Sequence, residues 1–236
     1  MKIVCVGCSY TDGFCTGIRT HKETYPYQLQ QLIPNSKVFN LGIGGGSNFL
    51  AYRLMERAIY KIKPDIIIRQ ITTPYRHHYV NPNIEFENNL LNWMIGIDVR
   101  YYAMHRKYYN PHLCIFTSTT NGLQSKLYNE RTKQKLHTSY YKHTHHEVME
   151  QYDRAFLMAG DVILDNIGID NITFSWFNKN KHNNCTSIEE TLGFPDTFVL
   201  DKGMHMNGKG NKLVAKLVFD MIAEKYPGYN LGKWRE

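Results

Sequence analysis

Short, continuous apolar runs alternate along the chain with longer stretches that have helical spacing. Residues 2–7 (KIVCVG), 38–42 (VFNLG), 65–71 (DIIIRQI), 112–118 (HLCIFTS) and 171–176 (NITFSW) are brief runs rich in β-branched and aromatic residues. Runs of this kind suit strands covered on both faces of a parallel sheet. Between them, residues 48–63 carry Leu50, Leu54, Ala58 and Ile62 at four-residue intervals. Residues 89–108, 145–167 and 207–226 have helical spacing too, the last ending before Pro227-Gly228. Strand–helix alternation predicts an α/β fold, a three-layer domain around a mostly parallel five-stranded sheet. No internal repeat or low-complexity linker divides the chain, so a single domain over residues 1–236 is expected. Residues 121–144 are polar, basic and Tyr-rich and read as an insertion or cap.

In open parallel sheets, chemistry collects in the crevice beyond the carboxyl ends of the strands. Three loops there hold suitable residues. After the first run comes Gly7-Cys8-Ser9-Tyr10-Thr11-Asp12-Gly13, in which Ser9 is either a projecting nucleophile or an N-cap for the next helix. After the second comes Asn40-Leu41-Gly42-Ile43-Gly44-Gly45-Gly46-Ser47-Asn48. Its glycines expose backbone N–H groups before a helix, which suits an oxyanion site, a nucleotide-phosphate loop or a plain tight turn. The acidic ribose partner expected about 20 residues after a dinucleotide fingerprint is not evident. Near the end comes Asp201-Lys202-Gly203-Met204-His205-Met206-Asn207-Gly208, with Asn207 positioned to cap the last helix. A His at a helix entrance with a carboxylate nearby suits a general base.

The early Ser, the glycine-rich second turn and the late Asp/His resemble, in order and spacing, the SGNH (GDSL-like) hydrolase family. The combination of GCSYT with TTPYR resembles the members found in tailed-phage genomes. The resemblance implies a flavodoxin-like α/β/α sandwich and ester hydrolysis without a cofactor. Ser9, in GCSYTDG, would be the nucleophile and His205, in HMNGKG, the base, with Asp201 orienting it. The N–H groups of Ser9 and Gly45 would bind the oxyanion. Two positions depart from the family pattern. Where the family's third block supplies an oxyanion Asn, this chain has Pro74, which carries no side-chain donor and no N–H. Thr73 or Arg76 would have to substitute, since one lost oxyanion donor costs about 10²–10³ in rate. The family's Asp lies three residues before the His; here that residue is Lys202, and Asp201 lies four before. Arg76, Asn48 and Tyr10 are the expected substrate contacts. The expected substrate is an acyl-ester small molecule or an acylated carbohydrate, with an anionic one favoured by the basic charge. A catalytically idle binding or structural protein on the same fold, viral in character, and a nucleotide-binding α/β protein are the competing readings.

Composition narrows the picture. With 236 residues, 42% hydrophobic and 21% charged, the chain is neither a disordered polymer nor a disulfide miniprotein. No run approaches the roughly 20 apolar residues that span a bilayer, so no membrane partner is expected. The opening MKIVCVGCSY has an apolar segment shorter than a signal-peptide core, which predicts a cytoplasmic protein, in host cytoplasm or virion if viral. The net charge of +7 (28 − 21) concentrates in residues 131–146 and 209–216, and a solvated basic surface fits it better than a nucleic-acid site. Of the five cysteines only Cys5 and Cys8 have CxxC spacing, and with Cys5 inside an apolar strand-like run all five read as reduced thiols. His143, His145, His146 and Glu147 read as a polar His-rich loop, and no metal site is expected.

Overall fold

The computed structural model describes residues 1–13, 21–43, 46–73, 76–80, 113–117, 146–177, 185–193, 205–229 and 231. Strands β1 (Lys2–Gly7), β2 (Lys37–Gly42) and β3 (Ile66–Ile71) fall where the apolar runs predict them. The helices α1 (Ser9–Asp12), α2 (Tyr25–Leu32) and α3 (Asn48–Ile62) lie between them. Strands β4 (Arg76–Val80) and β5 (Leu113–Thr117) follow, then helix α4 (His146–Ile167) and strand β6 (Asp170–Ser175). The two-residue β7 (Thr186–Ser187), α5 (Ile188–Leu192) and α6 (Gly208–Lys225) complete the order.

The main sheet has five parallel strands in the order β2-β1-β3-β6-β7. One expected strand lies elsewhere. The run at 112–118 contains β5, which pairs antiparallel with β4 in a separate two-stranded sheet, and the fifth place in the main sheet belongs to β7. An apolar run specifies extended backbone; it does not specify which partner the strand finds. The expected helix at 89–108 and the polar segment at 121–144 lie outside the described residues.

Alternate strand residues build two cores, which makes the sandwich three layers deep. Ile3 and Cys5 of β1, Ile66 and Ile68 of β3 and Phe174 of β6 face Tyr25 and Leu29 of α2 and Val214, Val218 and Ile222 of α6. Val4 and Val6 of β1, Leu41 of β2 and Ile67 of β3 face Leu50, Leu54, Ala58 and Ile62 of α3. The i, i+4 spacing read in α3 is therefore its buried stripe. Each fully buried aliphatic side chain contributes about 1.5–3 kcal/mol relative to its exposed state. Ser47 caps α3, its Oγ accepting from Leu50 N–H at 3.2 Å, and Lys63 closes it in the left-handed region at φ 54°. Among the described residues no helix is long and apolar enough to cross a membrane.

Arg69 is a charge inside β3 and only 8% exposed. Its guanidinium pairs with Asp161 of α4 and donates to Thr173 Oγ1 at 2.8 and 3.1 Å. Gly160 makes room for it, since a Cβ there would stand 2.8 Å from Arg69 Nη1. Arg69 thus ties α4 to the sheet.

Candidate active site

Strand order places a crevice at the carboxyl ends of β1 and β3, where connections leave β1 for β2 on one side and β3 continues the sheet on the other. The chain leaving β1 turns at once into α1. Cys8 is the N-cap with extended backbone and no side-chain cap, and its carbonyl accepts from Thr11 and Asp12 N–H at 3.0 and 2.9 Å. Ser9 is thus the first residue of the helix, and the N-cap alternative for its hydroxyl does not apply. The turn is held from below by Gln70 of β3, 2% exposed. Gln70 Oε1 accepts from Cys8 N–H at 2.9 Å and from Thr11 Oγ1 at 3.2 Å, and its amide donates to Ile71 C=O at 2.6 Å. Gly7 allows this approach, because a Cβ there would lie 2.6 Å from Gln70 Oε1.

His205 arrives from the far end of the chain. Ser9 Oγ and His205 Nε2 are 3.0 Å apart, across 196 residues of sequence. Both residues are half-buried. The His205 ring lies against Tyr10, centroids 4.6 Å apart and 30° between planes, and Tyr10 stacks in turn on Trp176 at 4.5 Å. On its other side the loop is clamped to α6. Asn207 caps the helix, its Oδ1 accepting from Gly210 N–H at 3.0 Å. Asn211, 2% exposed, donates to Met206 C=O at 2.8 Å and Asn207 C=O at 3.1 Å, and accepts from Tyr25 N–H at 3.1 Å. One carboxamide therefore joins the His loop, α6 and the first turn of α2. A hydroxyl within hydrogen-bond distance of an imidazole nitrogen has the geometry for proton transfer from oxygen to nitrogen during nucleophilic attack.

Other residues singled out from the sequence fall variously. Tyr10 sits beside His205, its ring buried between the imidazole and Trp176. Asn48, 3% exposed, engages Thr72 and Asp153 through its carboxamide: Oδ1 accepts from Thr72 N–H at 2.8 Å, and Nδ2 donates to Thr72 C=O at 3.0 Å and Asp153 Oδ2 at 2.7 Å. Burial pushes the Asp153 carboxyl up to about 7, with the Asn48 hydrogen bond opposing and the nearby Glu150 charge adding. Thr73 is half-buried just past β3, and Arg76 opens β4. Gly45, Pro74 and Asp201 lie outside the described residues, as do His143 and His145. Among the described residues no group of His, Cys, Asp or Glu is arranged to hold a metal ion. A cavity of about 20 Å³ lies away from the Ser–His pair, between α3, β3 and α4, and is lined by Asn48, Tyr52, Arg69 and Phe156. It has room for about one water.

Sequence reasoning passed over Gln70 and Asn211. Both are buried carboxamides whose importance comes from three-dimensional hydrogen bonding, and hydrophobic patterning assigns such residues to the surface. The only sequence signal was the recurrence of Asn at 207 and 211, one helical turn apart.

No protein-family model matches the chain. No curated protein matches it. Among solved structures it is similar to the acetyl xylan esterase AlAXEase, with a TM-score of 0.50 and 13% identity over 94% of this chain and 100% of the other. It is also similar to the psychrotrophic esterase EstA from Pseudoalteromonas sp., with a TM-score of 0.43 and 10% identity over 97% and 99% of the two chains. The lipase/acylhydrolase from Enterococcus faecalis gives 0.41 and 14% over 95% and 96%. At 13% identity the likeness to AlAXEase shows the shared α/β/α fold.

Proposed function

We propose that the chain is a serine esterase or O-deacylase of the SGNH type. The observation that carries this reading is the 3.0 Å approach of Ser9 Oγ to His205 Nε2 at the crevice where such sheets do chemistry. In the proposed reaction His205 Nε2 takes the Ser9 proton as Oγ attacks the ester carbonyl carbon. The carbonyl oxygen becomes an oxyanion, bound by the N–H groups of Ser9 and Gly45 with Thr73 in support. Collapse breaks the bond to the leaving alcohol, which takes the proton from His205. Water, deprotonated by the same imidazole, then attacks the acyl-enzyme, and the acid leaves with Ser9 restored. Asp201 holds the imidazole in the tautomer that presents a bare Nε2. Tyr10 walls the base, and Arg76 meets the substrate.

No cofactor enters this chemistry. The substrate class is an acyl ester on a small molecule or a carbohydrate, a choice supported by the acetyl xylan esterase among the similar folds. The net charge of +7 favours an anionic one. The test is hydrolysis of p-nitrophenyl acetate. The native protein is expected to turn it over, with Ser9→Ala reducing kcat by about 10³-fold or more. Equal turnover by both would remove Ser9 from the reaction.

A further inference from the structure

Asn48 joins the two segments that the esterase reading needs for the oxyanion. It opens α3 immediately after the glycine loop, and its carboxamide brackets both backbone polar groups of Thr72 at the exit of β3. Its remaining contact goes to Asp153 on α4, 105 residues away, at 2.7 Å. A carboxamide has two N–H donors and one carbonyl acceptor, and here all are engaged. Flipping it would set its N–H groups against Thr72 N–H and its oxygen against the Asp153 carboxylate and Thr72 C=O. Asp153 therefore fixes the side chain that fixes Thr72.

The arrangement costs folding free energy. A carboxyl is held against desolvation with a second acid, Glu150, one turn away on the same helix. A neutral acceptor would make the same hydrogen bond at lower cost, so stability alone does not account for the acid. The sequence, meanwhile, puts Pro74 where a side-chain oxyanion donor is expected. Without that donor, oxyanion binding relies on groups of the glycine loop and the β3 exit, and a displacement of about 1 Å costs about 10²-fold in rate.

We propose that Asp153, acting through Asn48, is a positioning residue that sets the spacing between the glycine loop and the β3 exit. This rests on the esterase reading, and its test separates the two. Asp153→Leu removes the acceptor, and Asp153→Asn keeps one. Two quantities are measured on each purified protein: hydrogen exchange of the Thr72 amide, and kcat and KM for p-nitrophenyl acetate. Asp153→Leu is expected to speed Thr72 exchange about tenfold and to lower kcat about 10- to 100-fold, with KM within about twofold. Asp153→Asn is expected to recover both to within about threefold. If Asp153→Leu does not fold, Asn48→Ala, which leaves Asp153 in place, carries the same expectations. Unchanged Thr72 protection overturns the proposal, as does an unchanged kcat once that protection is lost, or an Asp153→Asn variant as impaired as Asp153→Leu. Should the native protein show no Ser9-dependent hydrolysis, the esterase reading fails by itself, and Thr72 exchange still decides whether Asp153 holds the β3 exit.

Discussion

Replacing Asn211 by Leu tests whether a buried carboxamide holds the loop of His205, the proposed base, in place. The side chain makes three hydrogen bonds, to Met206 C=O, Asn207 C=O and Tyr25 N–H, and is 2% exposed. Leu has similar volume, so packing is largely kept and the polar loss is isolated. Asn207 C=O retains the backbone N–H of residue 211 at 2.9 Å. Tyr25 N–H and Met206 C=O lose the side-chain partner they have in the native structure, and each buried polar group so deprived costs about 1–3 kcal/mol. A destabilisation of about 3 kcal/mol follows, which for a chain of this length lowers Tm by about 6–12 °C. Folding survives, given a total stability of about 5–15 kcal/mol. The residue that shifts is Met206, next to His205, so kcat for p-nitrophenyl acetate is expected to fall about 10- to 100-fold with little change in KM. Thermal unfolding and steady-state kinetics on the same preparation read both. A variant with native Tm and native kcat would refute the clamp.

Two other changes test the fold and its charge. Gly42→Ala would put a Cβ 2.2 Å from Asp12 N and 2.7 Å from Thr11 C, both backbone of α1; the expected cost is at least about 3 kcal/mol, read by thermal melting, and a fully stable variant would contradict the packing of α1 on β2. The Asp153 carboxyl is raised from 3.8 to about 7 in the folded protein, chiefly by burial. The native state therefore binds an extra proton between those values, so this group's contribution is most favourable at low pH and is lost as pH rises through 7. The full gap is worth about 4 kcal/mol, and partial exposure reduces it to about 2 kcal/mol between pH 5 and pH 8. Urea unfolding of native protein and Asp153→Asn at both pH values measures it. A difference between the two proteins that does not change with pH would show the carboxyl to be ordinary.

The sequence made β1, β2, β3 and β6 readable for a physical reason: strands buried on both faces need apolar residues at nearly every position, and few other elements do. Residues 186–187 (TS) carry no such signal, since a two-residue edge strand buries little. Residues 76–80 (RHHYV) carry none either, and that left the run at 112–118 looking like a central strand without a rival partner. Helix α3 was legible in register because Leu50, Leu54, Ala58 and Ile62 are its buried stripe. Helix α2 was not, since Pro26 and its short length hid a start that Pro in fact favours. Within the site, Ser9 and His205 were singled out by their loops and by a family resemblance, and no local pattern could show that they meet. Gln70, Asn211 and Asp153 were invisible as parts of the site because a polar residue declares its partner only after folding.

The central claim is that Ser9 is a nucleophile activated by His205, and covalent labelling tests it most directly. A fluorophosphonate reacts with an activated serine hydroxyl and leaves a stable adduct whose position mass spectrometry identifies. The account predicts one adduct per chain on Ser9, absent in Ser9→Ala and slowed at least about 10²-fold in His205→Ala. A native protein that remains unmodified at Ser9, or that labels equally well without His205, would contradict it.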